Sequence, residues 1–448
     1  VLTIHAAKEM KGTAVLPPSS DLFFLSIMCA MAARRPTRIS PLCDIPLVPW
    51  WEKALAGHVA LTCATDHCLV EPVENAASQI TLSYEEMPYR DFIVFLLLGL
   101  KKTLLIDPLP PKRLAIWEQT VAGFGCGLSR TDVNGRIAVS LTGEEHFRVP
   151  DTQKPPDLLH PLLGICLGLK KSLSVTTPAQ FASPLRHVLP LFGWDVSVAT
   201  NLRDKKDDPL LRRMRFLQSG KKSEEPLHYI VSADFSHRRD TAEVAVTVPG
   251  DDVLGAAFIA GKCLVPRGSL VIGNMGLESW NTQTLQLVKK MGGLVATQET
   301  GSTSYGAVGT VTLQKTELSG RKVECRPLFL YDGQLPAMVV LGAFARGQTV
   351  LRGLEDLRND EPDAIEQILS CVNILGGRHG EMPDGIVIDG APQYDGFDLP
   401  AGMPAPVAAS FAMAGLRSMG ATRIHDEAIV RRWPRFGEML TSVCEFRE

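Results

Sequence analysis

The chain has 448 residues, a formal net charge of −3, 45% hydrophobic residues and 21% charged residues. That length exceeds one compact core and points to two domains of about 200 residues each. The near-neutral balance supplies no basic field for nucleic acid or for an anionic membrane surface.

Val1 to Leu16 alternates like a strand and is stopped by Pro17-Pro18. From there one pattern recurs six times: an almost fully apolar helix, a short turn, then a strand. The first three are Leu22 to Ala33 with Thr37 to Ile39, Asp91 to Lys101 with Thr103 to Ile106, and Pro156 to Leu169 with Ser172 to Val175. The second three are Asp252 to Leu264 with Ser269 to Ile272, Gln334 to Ala345 with Thr349 to Leu351, and Ala405 to Met419 with Thr422 to Ile424. An amphipathic helix follows in places, as in Gln283 to Met291 and Asp363 to Leu375. A helix that is apolar all round must be buried. Recurrence at a fixed scale marks a repeated supersecondary unit. The pattern therefore predicts an α/β protein with helices inside and sheets around them.

Three repeats precede the alternating segment Glu243 to Val248 and three follow it, which predicts a domain crossing near Ala245. Residues 19–245 form one three-repeat domain on this reading. Residues 1–18 and 246–448 form the other, the first strand joining the second half. Asp204 to Glu225 is the most charged and least periodic stretch and reads as an exposed insertion. Glu299 to Gly309 reads as a Gly-, Ser- and Thr-rich loop; it lacks the Gly-Lys-Ser/Thr ending of a phosphate loop.

The ten cysteines show no C-x-x-C pairing and read as small buried apolar residues in a reducing compartment. The tightest cluster, Cys63, His67 and Cys68, fits no zinc spacing and reads as structural. No metal or cofactor is expected. A bilayer span needs about 20 consecutive apolar residues, and Phe92 to Leu100 falls well short. The N-terminal stretch lacks the apolar core of a signal peptide, so the cytoplasm is the expected location.

The second half carries a set of ordered motifs. LPAMVVLGAFARGQTVLRGLEDLRNDEPDAIEQ begins at Leu335, EMPDGIVIDG at Glu381, PGDDVLGAAFIAG at Pro249, and RRWPRFGEML ends at Leu440. Together these resemble the EPSP synthase family of enolpyruvyl transferases, clearly over about 200 residues and only by repeat pattern in the first half. The resemblance implies two domains of three βαβαββ units each, with parallel buried helices whose N-termini face an interdomain cleft. Each helix N-terminus carries about half a positive charge, so such a cleft attracts anions. It implies an anionic small-molecule substrate, phosphoenolpyruvate with a phosphorylated hydroxy acid; from the charge balance no nucleic acid or membrane partner is expected.

Residues follow from the same resemblance, position by position. The first-helix motif G-S-K-S-x-S-x-R falls on Pro18 to Leu25, so Ser19 and Ser20 are candidate binding residues, with Ser20 at the lysine and Asp21 at the next serine. The second-helix opening keeps one base, Arg90, and the S-L-R-x-R-P motif leaves Lys112 and Arg113. The third-helix S-S-Q falls on Pro155 to Asp157, and D-H-R before the last helix is Pro404 to Pro406. R-x-K-E-x-D-R reads Arg358 to Ala364: Arg358 is a candidate anion contact and Glu361 a candidate acid/base, while Asp360 replaces the lysine. The general-base aspartate falls near Pro327, where Asp332 is the nearest carboxylate. The K-S-F-P lysine is Arg431.

These departures share a direction. Asp21, Asp91, Asp157, Asp252 and Asp332 stand at or near five helix starts. There they either fill the role of a bound anion or act as ordinary caps away from the cleft. Arg358 has the alternative of an ion pair with Asp356 or Asp360, and Glu361 that of a first-turn charge. Two functions stay open: an enolpyruvyl transferase with doubtful activity on the standard substrates, or a non-catalytic homologue binding a less anionic ligand or a protein partner. The UDP-N-acetylglucosamine enolpyruvyl transferases fit less well, because no Gly-rich loop here carries a cysteine.

Overall fold

A computed structural model describes residues 1–41, 48–74, 76–83, 89–107, 109–133, 136–149, 159–177, 184–201, 228–239, 243–314, 317–325, 333–354, 357–358 and 363–447. The segment 204–225, read as an insertion, lies outside them, as do Asp157, Asp332, Asp360 and Glu361.

The six apolar segments form helices where the sequence places them: α1 Ser20–Ala33, α2 Arg90–Gly99, α3 Leu159–Leu169, α4 Asp252–Leu264, α5 Leu335–Phe344 and α6 Ala405–Gly415. Their ends have local causes. The Ser19 hydroxyl accepts the Leu22 amide at 3.4 Å at the start of α1, and Arg34 ends that helix in the left-handed conformation. Asp251 caps α4 by accepting the Val253 and Leu254 amides at 3.1 and 3.0 Å. The cap is thus Asp251, one residue before the aspartate that the sequence reading placed at the helix start; Asp252 sits in the first turn. Pro336 and Pro406 occupy the first turns of α5 and α6, where a missing N–H costs nothing.

Two hydrophobic cores gather these helices. One holds α1, α2 and α3, and the other α4, α5 and α6 together with Ile4 to Leu16. In the first, α2 and α3 cross backbone to backbone at Gly99, Gly164 and Gly168. A Cβ on Gly99 would lie 2.8 Å from the Ile165 carbonyl, and one on Gly164 would lie 2.9 Å from the Leu96 nitrogen.

Among the described residues, three sheets surround the first core, and three sheets with a two-stranded ribbon surround the second. Around the first, Val59–Cys63, Cys68–Pro72 and Thr37–Ser40 are joined by the parallel strand Val244–Thr247. The second sheet runs Gln79–Ser83, Thr103–Asp107, Arg136–Thr142 and Gly127–Val133, and the third runs Leu173–Thr177, His228–Asp234 and Asp195–Asn201. Around the other core, Gly12–Val15 runs parallel to Leu270–Gly276, followed by Gly306–Leu313 and Val295–Thr303. Lys322–Glu324, Gln348–Arg352, Gly385–Asp389 and Arg378–Met382 form the next sheet, and Leu2–Ile4, Thr422–Ile424 and Asp398–Leu399 the last.

Two local readings change. Val1 to Leu16 is three short strands in three sheets, Leu2–Ile4, Ala7–Met10 and Gly12–Val15, the middle one pairing with Cys444–Phe446. Its alternation predicted extended chain correctly; partner choice cut it into pieces. Glu299 to Gly309 is most of a hairpin, Val295–Thr303 against Gly306–Leu313. Its threonines and valines suit strands, and Gly306 takes the positive φ of 108° that the tight turn requires.

That hairpin also joins the halves. Its turn residue Tyr305 is 1% exposed and belongs to the first core, with Trp280. The Tyr305 hydroxyl donates to the Leu22 carbonyl at 3.0 Å and lies 2.7 Å from the Ser26 hydroxyl. Beside it, Ser304 and Thr247 exchange hydrogen bonds, with both amides bonded at 2.9 Å to the other's hydroxyl.

Candidate functional site

Four of the buried helices bring their N-termini to one place. The start of α1 supplies Ser19, Ser20 and Asp21, and the start of α2 supplies Arg90. The start of α4 supplies Asp251 and Asp252, and Gln334 precedes α5. Arg432, at the end of the helix Glu427–Arg432, reaches in from the second half. Its Nη2 donates to Asp21 Oδ2 at 2.7 Å and lies 3.7 Å from Asp251 Oδ2. The Trp433 indole N–H donates to the same Asp251 oxygen at 3.0 Å, and the Arg432 guanidinium stands 5.0 Å from that ring's centroid.

The charges are unequal in their settings. Asp251 is 1% exposed and carries both the cap and these two partners. Burial raises the Asp21 pKa; Arg432 pulls it back, Asp251 pushes it further up, and Arg90 lowers it. Asp252 takes a neutral partner, the Gln334 carboxamide, whose Nε2 donates at 2.8 Å. Burial, then the neighbouring Asp251, push the Asp252 carboxyl up to about 7. Gln334 is itself fixed: Nε2 also reaches the Asn281 carbonyl at 3.1 Å, and Oε1 accepts the Thr284 amide and hydroxyl at 3.0 Å each. Ser20 is 4% exposed, and its buried hydroxyl has no hydrogen-bond partner among the described residues.

The other predicted residues are placed as follows. Asp91, in the first turn of α2, accepts the Trp117 indole N–H at 2.9 Å and lies 3.7 Å from Arg113. It is therefore bound to the helix Pro111–Gly123, whose first turn also holds the exposed Lys112. Arg358 bonds Asp363 at 3.3 Å, Glu381 at 3.1 Å and the Met382 carbonyl at 3.1 Å, the kind of local ion pairing that the sequence left open, with other partners. Arg431 is exposed, and its neighbour Arg432 makes the inward contact. Glu361 and Asp332 lie outside the described residues.

Sequence reasoning did not single out Arg432, Trp433, Asp251 or Gln334. For Arg432 a signal was available: the serine of K-S-F-P is an arginine here, matched by an aspartate at the serine after the first-helix lysine. Among the described residues, no group of three or more His, Cys, Asp or Glu could hold a metal ion. No helix among them is long and apolar enough to cross a membrane.

Two cores of three buried helices, ringed by sheets and joined at clustered helix starts, define the class as the two-domain α/β fold of enolpyruvyl transferases. The fold is matched across the chain by EPSP synthase from Acinetobacter baumannii, with a TM-score of 0.68 at 19% identity, covering 100% of this chain and 99% of that one. It is matched also by the enolpyruvyl transferase NikO from Streptomyces tendae, with a TM-score of 0.65 at 16% identity, covering 99% and 98%. The family match falls in the second half. Residues 236–440 match the family EPSP synthase (3-phosphoshikimate 1-carboxyvinyltransferase). The 3-phosphoshikimate 1-carboxyvinyltransferase of Carboxydothermus hydrogenoformans is 30% identical over 201 residues, 45% of this chain and 47% of that protein. That of Brevibacillus brevis is 29% identical over 202 residues, 45% and 47%. The match spans about half the length of these curated relatives. Over that half the chain is similar to the EPSP synthase family.

Proposed function

We propose that this protein is an enolpyruvyl transferase of EPSP synthase type whose acceptor is less anionic than shikimate 3-phosphate. The supporting observation is the occupation of the helix starts by Asp21 and Asp251, bridged internally by Arg432, and by Asp252, held by Gln334. A phosphate entering there meets carboxyl groups; each that is ionised repels a unit anion by about 4 kcal/mol at 4 Å and an effective dielectric of 20. The positive helix ends are already answered from within the chain.

The reaction needs a group to take the acceptor's hydroxyl proton and one to protonate the methylene carbon of phosphoenolpyruvate. Glu361 and Asp332 are proposed for these roles by resemblance. Asp252 is a further candidate, because a carboxyl near 7 is populated in both protonation states at neutral pH. Arg90, Arg113 and Arg358, with Ser19, Ser20, Lys112 and Arg431, are proposed substrate contacts. Residues 19–245 and residues 1–18 with 246–448 are proposed as the two domains, and the cytoplasm as the location.

Phosphate release from phosphoenolpyruvate tests this reading. With shikimate 3-phosphate the expected rate is negligible, and with some member of a panel of unphosphorylated hydroxy acids it is measurable. Release at about 1 s⁻¹, a low ordinary enzyme rate, with shikimate 3-phosphate would overturn the acceptor assignment. No release with any acceptor would overturn the transferase assignment.

A further inference from the structure

We infer that Cys63 and Cys68 are a reversible dithiol site that reacts with small disulfides, such as oxidised glutathione, to close an intrachain disulfide. The two residues face each other in register on the antiparallel strands Val59–Cys63 and Cys68–Pro72, at the end of the hairpin. Their sulfurs are 3.0 Å apart. Directly opposed antiparallel residues have Cα atoms about 4.5–5.5 Å apart, inside the 4.4–6.8 Å window of disulfides. Closing the bond to about 2.05 Å therefore asks for a sulfur movement of only about 1 Å. The turn between them is pinned by the Ala64 amide donating to the His67 carbonyl at 2.8 Å, so the pair is held in place before any reaction.

The two thiols differ in a way that orders the chemistry. Cys63 is the one exposed cysteine among the described residues, whereas Cys68 is buried. Burial, with the Cys63 thiol beside it, pushes the Cys68 thiol above its usual range. Cys63 therefore meets the oxidant first. Its thiolate attacks one sulfur of glutathione disulfide, forming a Cys63–glutathione bond and releasing one glutathione thiolate, which takes up the Cys63 proton. The Cys68 sulfur then loses its proton, attacks the Cys63 sulfur and expels the second glutathione. Two protein thiols are oxidised and one glutathione disulfide is reduced to two thiols. The remaining described cysteines are buried or half-buried.

Both cysteines fall in one tryptic peptide, since no Lys or Arg stands between Lys53 and Arg90. The folded full chain is treated with oxidised glutathione, quenched with iodoacetamide and digested. The expected peptide has lost two hydrogen atoms, carries neither label nor glutathione, and regains two labels after dithiothreitol. Cys68→Ser is expected to trap glutathione on Cys63. Cys63→Ser, at a surface position, is expected to leave Cys68 reduced and without glutathione. Wild-type protein that retains glutathione on Cys63 would overturn the inference. So would wild-type protein with both thiols still labelled at an oxidant dose that converts a reference dithiol peptide. The wild-type readout decides alone if Cys68→Ser does not fold.

Discussion

Arg432 and Asp21 are 411 residues apart in sequence and bonded at 2.7 Å, with side chains only 16% and 20% exposed. The pair ties the first turn of α1 to the second half and uses the charge of Arg432 on the protein's own carboxylates.

Removing that guanidinium takes away the hydrogen-bonded cation of Asp21 and a cation beside Asp251, leaving Asp21 with the field of Arg90 and Asp251 with its cap amides and the Trp433 N–H. Breaking a buried pair costs about 3–5 kcal/mol, and partial exposure puts this one near 3 kcal/mol. Arg432→Met should lower the urea midpoint accordingly. The double variant Arg432→Met/Asp21→Leu should recover part of the loss. A double variant no more stable than Arg432→Met would deny the coupling.

Stability should depend on Asp252 between about pH 4 and pH 7. Its carboxyl titrates near 3.8 when unfolded and is pushed up to about 7 in the fold. Within that window the folded state binds the extra proton, so stability falls as pH rises. Below the window both states are protonated and the slope vanishes. Asp252→Asn should flatten the curve, leaving a slope of the same sign from Asp21, whose pKa is also raised. Denaturation midpoints over this pH range measure it, and an unchanged slope in Asp252→Asn would count against the assignment.

Tyr305→Phe removes a hydroxyl placed between Ser26 and the Leu22 carbonyl. The expected loss is about 1–2 kcal/mol, one buried hydrogen bond. Tyr305→Ala also empties a ring-sized volume in the first core and should cost about 3–5 kcal/mol. Both are read by chemical denaturation; equal losses would mean that the ring does not pack as described.

Gly164→Ala should be among the most damaging single-methyl changes. The added carbon has no room against α2, where the Leu96 nitrogen would lie 2.9 Å away. Forcing two helix backbones apart should cost about 3 kcal/mol, the upper part of the usual overpacking range. Gly123→Ala, whose Cβ meets nothing within 4 Å, is the control and should be near neutral or stabilising.

The six buried helices, the strand after each, and the family likeness of the second half were legible in the residues alone. Those are local or ordered properties: an all-round apolar run cannot lie at a surface, and caps such as Ser19 and Asp251 act within three residues. The sequence also showed that carboxylates had come to the helix starts. It did not decide which of them would be paired. Asp91 turned to Trp117 and Arg113, Asp21 to Arg432, and Asp252 to Gln334. An arginine side chain reaches several ångströms in any direction, and its partner is chosen by what the packed halves bring near it. For that reason Arg432 faces the helix starts while Arg431, its neighbour and the motif's own basic position, is exposed. Strand partners were decided in the same way. The alternation of residues 1–16 specified extended chain, and only the packed sheets determined that it would be shared among three of them.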